Sequence, residues 1–481
     1  MKKNKKILSV SIVLTVLLAC FLISGCATSA SSTQRQNIYR EIDEAISRND
    51  FDSALQLVIL AQAEARPLYD ANNAISLWLN KGLLEFYAGH FEDSANSLLN
   101  AERLIQEAYT RSVTQNVATY ILNDNSREYP GEDFEDIYLS VFNALNFYHQ
   151  DNIEGALVEV RKLTLPSGKL ELLSRKYDEA NARAKGSSID EAEMREAGIS
   201  DIPTETDLVS VSFINSALAR YLSILFYQAD RNEDAVRIEL EQLRLAFASQ
   251  PSIYNHSFPT NTIENIVEVP PGQARLDVLS FIGMSPIKEE RLYEQYFPFF
   301  RDPALQRPQF RLPVLVDRPN RIDRIEIVIG DERINLELLE NMGAVVRDTF
   351  QARYATIFLK TYLRTMAKYT ALQIMSNEIE SRTANSNLVT KTAARVGFIA
   401  AIAAFEATES ADIRMSRFLP NRAYIGSIIL EPGTYDVTVN YYSGRNLVQT
   451  KTNEAIEVRA GRLNFEQFSN LDFMYAYTQG D

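Results

Sequence analysis

The stretch Trp78-Leu79-Asn80-Lys81-Gly82-Leu83-Leu84-Glu85-Phe86-Tyr87-Ala88-Gly89-His90-Phe91-Glu92-Asp93-Ser94-Ala95-Asn96-Ser97-Leu98-Leu99-Asn100-Ala101 reads as two helices joined by a tight polar turn. Apolar residues recur at helical intervals on both sides of Gly89-His90, and Gly89 supplies the backbone freedom a turn needs. Phe91 is followed three places on by the small Ser94. In such a unit the small residue lets two helices approach and the large one fills the gap between them. The same phrase returns at Asn49-Asp50-Phe51 with Ala54, at Asp151-Asn152-Ile153 with Ala156 and, more loosely, at Arg231-Asn232-Glu233 with Ala235. The N-terminal half therefore reads as stacked antiparallel helix pairs, each needing a neighbour to bury its apolar face.

Trp78, Gly82, Gly89, Phe91, Ser94, Leu98 and Ala101 stand at the large, small and turn positions of a tetratricopeptide repeat, which this copy resembles. Lys81 and Glu85 depart from it, where Leu and Tyr are expected. The copies near 46–61, 78–101 and 140–162 do not keep a constant period of about 34 residues, so insertions fall between them. An irregular helical bundle is the alternative. Arrays of this kind present a face that grips another polypeptide, while Trp78 and the aromatic runs Leu145 to Tyr148 and Tyr221 to Tyr227 are expected inside. From Leu172 to Ala197 the mixed charges predict a long solvated helix.

Beyond Val269-Pro270-Pro271-Gly272 the chain is punctuated by Pro298, Pro303, Pro308 and Pro313, and 266–310 reads as a Pro-rich connector. The alternating runs Ile325 to Ile329 and Ile334 to Leu338, around Gly330-Asp331-Glu332, predict a β-hairpin. Tyr424 to Leu430 and Tyr435 to Tyr441, around Glu431-Pro432-Gly433-Thr434, predict a second. Strands at 447–451, 455–459 and 463–468 would complete a small antiparallel sheet or sandwich. Between the hairpins a helix is expected from about Met342 to Glu380 and an Ala-rich one from Ala393 to Ala407. The apolar run Val396 to Phe405 in the latter is too short to span a bilayer and is flanked by Arg395 and Glu406, which favours a buried or partner-facing helix over membrane contact. The fold class is thus α+β and multidomain, with a tetratricopeptide-like helical array over 38–265 and a mixed domain over 311–470 that combines an antiparallel sheet with long helices. A tail covers 471–481.

Ala411-Asp412-Ile413-Arg414, then Leu419-Pro420 and Leu430-Glu431-Pro432-Gly433-Thr434-Tyr435, together with Ala156-Leu157-Val158-Glu159-Val160-Arg161, resemble the landmarks of a family of uncharacterised bacterial lipoproteins with tetratricopeptide-like N-terminal halves. The resemblance spans about residues 130 to 440 and departs at Ile413 and Ser416, where the family shows Thr and Trp. It implies no reaction, and singles out Glu159, Arg161, Asp412 and Arg414 as positions of unassigned role. Asp412 and Arg414, two apart on an extended segment, project to one side. They read as an ion pair closing the domain interface, or as a pair that addresses a partner's ion pair or caps a helix end.

Lys2, Lys3, Lys5 and Lys6, an apolar run from Ile7 to Ile23, and Ile23-Ser24-Gly25-Cys26 have the order of a signal peptide, 1–25. They are similar to a bacterial lipoprotein signal, which implies cleavage between Gly25 and Cys26 and acyl chains on Cys26. An uncleaved membrane helix is the alternative, and the run sits at the lower length limit for one. Cleavage would leave 45 basic against 63 acidic side chains, a net charge of −18, so the membrane would hold the chain through acyl chains rather than charge. Residues 26–37 read as a flexible tether. Ala27 stands where an Asp would imply retention in the inner membrane, so the resemblance implies the outer membrane, facing the periplasm.

The whole chain of 481 residues carries 49 basic and 63 acidic side chains, a balance that repels nucleic acid. His90, His149 and His256 are far apart in sequence, no Gly-rich phosphate loop or Gly-x-Ser-x-Gly elbow occurs, and no catalytic residue, metal or cofactor is expected. The densest acidic cluster, Glu132-Asp133-Phe134-Glu135-Asp136, reads as the acidic start of a helix over Ile137 to His149. The expected function is a lipid-anchored, non-enzymatic scaffold or regulator whose partner is another envelope protein. The alternative is an envelope enzyme acting on a glycan with paired carboxylates.

Overall fold

The structure, a computed structural model, describes residues 35–64, 67–112, 127–186, 213–264, 266, 269–407 and 409–474. Among the described residues four helix pairs build the N-terminal half: α1 (35–47) with α2 (Phe51–Ala63), α3 (Ala74–Tyr87) with α4 (Phe91–Ser112), α5 (Asp133–His149) with α6 (Ile153–Thr164), and, after α7 (Lys169–Gly186), α8 (Ala217–Ala229) with α9 (Glu233–Ser249). One device makes all four turns. Asn49, Gly89, Asp151 and Arg231 take φ of 58°, 82°, 55° and 57°. The next N–H donates back five residues, Asp50 to Ala45, His90 to Glu85, Asn152 to Phe147 and Asn232 to Tyr227, at 2.8–3.0 Å. This closes the first helix of each pair in a left-handed cap. Asp50, Asn152 and Asn232 then cap the second helix through Ser53, Gly155 and Ala235 N–H. A Cβ on Gly82 would lie 2.8 Å from Leu98 Cδ2, and Ser94 Oγ donates to Gly82 O at 2.7 Å, so the small residues of the quoted stretch do set the helix approach. The charged helix expected over Leu172 to Ala197 corresponds to α7; residues 187–197 lie outside the described ones.

A short helix α10 (Thr260–Glu264) precedes ten strands: β1 (Ala274–Met284), β2 (Ile287–Glu294), β3 (Gln309–Val316), β4 (Arg324–Ile329), β5 (Glu332–Asn335), β6 (Glu337–Asn341), β7 (Pro420–Leu430), β8 (Gly433–Ser443), β9 (Asn446–Val458) and β10 (Asn464–Asn470). Two four-stranded sheets, β10-β1-β7-β6 and β5-β4-β8-β9, face each other across Leu276, Val278, Ile325, Ile327, Ile428, Val437 and Val439. The chain is α+β, a helical array followed by a strand-containing half.

Several expectations are corrected. The stretch 266–310 is no connector: it holds β1, buried along its whole length, and β2. Leu276 and Val278 face the sandwich interior, whereas Leu279 and Phe281 enter the core of the array, where the Phe281 and Phe142 rings meet with centroids 5.2 Å apart, tilted by 32°. A strand buried on both faces has no alternation to read. Tyr424 to Leu430 and Tyr435 to Tyr441 form no hairpin, because both edges of β7 are taken by β1 and β6, and the chain crosses to the facing sheet to continue as β8. The first expected hairpin is β4 with β5 only; β6 leaves it for β7. The strands expected at 447–451 and 455–459 are one strand, β9, and β10 pairs with β1 in parallel. Residues 35–37 of the expected tether belong to α1, and Leu471 and Phe473 of the expected tail are buried.

Between β6 and β7 runs a helical hairpin, α11 (Met342–Thr383) and α12 (Leu388–Ala407). Asn341 caps α11 through Ala344 N–H at 3.0 Å. The hairpin packs on β3 and the 295–310 segment through Phe297, Phe300, Phe310, Tyr369, Leu372, Phe398 and Ile402. Of α12 only Phe398 and Ile402 are buried, so of the expected buried or partner-facing helix the buried reading does not hold: the helix is exposed and packed along a single side.

Candidate functional site

Of the residues singled out in the sequence, Asp412 and Arg414 sit between the array and the C-terminal half, whereas Glu159 and Arg161 lie within the array. On the extended segment 409–419, Asp412 accepts from Arg414 Nε and Nη2, both at 2.8 Å. Arg414 also donates to Arg127 O at 2.6 Å and Asn72 O at 3.2 Å, and lies over the Tyr129 ring. The pair thus pins the segment to the loops before α3 and α5. Burial raises the Asp412 carboxyl, but the Arg414 hydrogen bond and charge outweigh it and hold it below the usual range.

The carbonyl of Arg414 accepts from Lys288, which pairs with Glu132, as Arg353 does. Glu132 caps α5 in a reciprocal box with Glu135. The acidic cluster does start α5, and does more. Glu135 is 1% exposed and accepts from Tyr129 Oη and Glu132 N, both at 2.8 Å, and from Ser416 N. Burial, then the neighbouring Glu132 charge, push its carboxyl up to about 7. Beside it, between Leu83, Leu98, Leu139 and Phe142, lies a cavity of only about 10 Å³, room for one water. A sugar ring cannot reach Glu135.

Further along α5, Asp136 pairs with Lys169 at 2.7 Å, Lys169 with Glu102 at 2.8 Å, Glu102 with Lys162 at 2.8 Å and Lys162 with Glu159 at 2.8 Å. Burial raises the Glu159 carboxyl against the pull of Lys162. Arg161 reaches Asp230 at 3.5 Å on the surface. The two landmarks therefore meet the two sides of the first turn of α5, and their charges are spent inside the chain. Gly25 and Cys26 lie outside the described residues.

Sequence reasoning missed the deepest polar knot. Glu340 on β6 is fully buried and accepts from Ser216 Oγ at 3.0 Å, Leu218 N at 2.8 Å and Tyr254 Oη at 3.0 Å, and from Tyr138 Oη. Its partners sit on α5, at the start of α8 and after α9, 86 to 202 residues away. The one signal in the sequence is an acid inside the apolar run Leu338-Leu339-Glu340-Asn341-Met342. A second knot joins Tyr221 Oη to Asp277 at 2.9 Å, with Arg275 on the same carboxylate.

His90 meets Asp52 at 3.0 Å on the surface, whereas His149 stacks on Phe91 at 4.2 Å and burial pushes its ring down to about 4. Among the described residues no group of three His, Cys, Asp or Glu could hold a metal ion. No protein-family model, curated protein or solved structure matches the chain.

Proposed function

We propose that this chain is a lipid-anchored lipoprotein of a bacterial envelope, held at the outer membrane facing the periplasm by acyl chains on Cys26, and that it acts as a non-enzymatic scaffold for another envelope protein. The observation that carries the anchoring is the basic start, the apolar run Ile7 to Ile23 and the sequence Ile23-Ser24-Gly25-Cys26. The scaffold reading is supported by the way array and sandwich share one core, in which α3, α5 and α8 are packed against β1, α11 and the 415–419 segment. That face of the array is filled by the chain's own C-terminal half. The second helices of the pairs stay outward, with Leu60, Tyr109, Val158 and Ile238 exposed. They are the face left for a partner.

Photo-crosslinkers placed at Leu60 and Ile238 in living cells test the reading. One envelope protein should be captured from both positions, and the capture should fall with Cys26→Ala, which leaves the precursor unprocessed. Turnover of cell-wall fragments by the purified chain would overturn the scaffold, and lipidation persisting in Cys26→Ala would overturn the anchor.

A further inference from the structure

The hairpin α11–α12 carries a surface that no described residue covers. Leu388 and Val389 at its tip are 78% and 77% exposed, and Val396 and Ile399 follow at helical spacing at 54% and 50%. Tyr296 and Phe299, in the segment packed on the hairpin, are exposed as well. Helix α12 has 20 residues, about 30 Å, is apolar along most of its length, and buries only Phe398 and Ile402. Its ionisable groups near the body are paired: Arg395, itself exposed, with Asp302, and Glu406, which accepts from Tyr369 Oη at 2.6 Å. From Ser381 to Phe405 there is no Asp or Glu, in a chain of net charge −14, and the cation Lys391 stands exposed on α12 between Val389 and Val396.

We propose that this hairpin docks on a phospholipid bilayer, with α12 lying in the headgroup region as a second membrane contact independent of Cys26. An apolar helix whose one acid, Glu406, is tied to Tyr369, and which leaves Lys391 exposed, suits an anionic lipid surface. Exposed aromatic rings beside it suit the boundary between headgroups and acyl chains. An acidic protein surface would match Lys391 but would leave the apolar side chains without a reason to be exposed in register along one helix.

The test uses the full chain with Cys20→Ser and Cys26→Ser, so that acylation plays no part, and a bimane label on Val396→Cys. The chain is mixed with phosphatidylethanolamine and phosphatidylglycerol vesicles containing nitroxide-labelled acyl chains. Emission at 396, and in a second variant at Val389→Cys, should fall about twofold, the response of a group 5–10 Å inside the headgroup boundary, while a label on Leu60→Cys in the array changes little. Equal responses at 396 and 60 would overturn the proposal. So would a blue shift at 396 that needs no lipid, rises with protein concentration and accompanies a doubled mass, since a second copy would then cover the face.

Discussion

Replacing Glu340 by Ala should loosen the array although the residue belongs to the sandwich. The carboxylate holds four donors. Tyr254 Oη keeps an acceptor, Asn215 O at 3.1 Å, but Tyr138 Oη, Ser216 Oγ and Leu218 N lose theirs in a site closed to water. Each orphaned buried donor costs about 1–3 kcal/mol, and relief of burying the carboxylate offsets part of it. Burial already raises this carboxyl against its hydrogen bonds, so the offset is real. A net loss of about 3–5 kcal/mol is expected, a large share of the stability of an ordinary domain. Glu340→Gln keeps one acceptor oxygen and should lose about half as much. Trp78, the single tryptophan, sits on α3 in the array, so urea unfolding followed by its fluorescence reports the array alone, while far-UV circular dichroism reports the whole chain. Both transitions should move together to lower urea in Glu340→Ala. A Trp78 transition unmoved from wild type would refute the claim that Glu340 locks the two halves.

Gly82→Ala gains about 1 kcal/mol of helix propensity but drives its Cβ to 2.8 Å from Leu98, so a net loss of about 1–2 kcal/mol is expected, recovered in part by Leu98→Ala in a double-variant cycle read by urea unfolding. Glu135 holds its proton to about pH 7 in the fold and releases it near 4.5 when unfolded, so stability should fall as pH rises between these values and level off above. Relative to Glu135→Gln, the wild type should lose roughly 3 kcal/mol between pH 4.5 and 8 in urea titrations, and parallel pH profiles would contradict this.

What could be read from the sequence was whatever rests on neighbours in the chain. Asn49, Gly89, Asp151 and Arg231 mark their turns because a left-handed cap and the small residue after it are decided within a few residues. Strand β1 escaped because its two faces serve two cores, so that Leu276 and Leu279 are equally buried and no polar side exists. The crossing from β7 to β8 escaped for a related reason: Pro432-Gly433 is compatible with a hairpin and with an arch, and only the distant strand β6, already paired to β7, excludes the first. Asp412 and Arg414 were legible as an ion pair, since two residues on one extended segment can be placed from spacing alone. Their anchoring on Arg127 and Asn72 was not, and neither was Glu340, whose donors come from parts of the chain 86 to 202 residues away.

The direct test of the anchored scaffold is the mass of the N-terminal peptide of the protein taken from its native envelope. The account predicts a chain that begins at Cys26 and carries a diacylglyceryl thioether. A chain that still begins at Met1, or an unmodified Cys26, would contradict it.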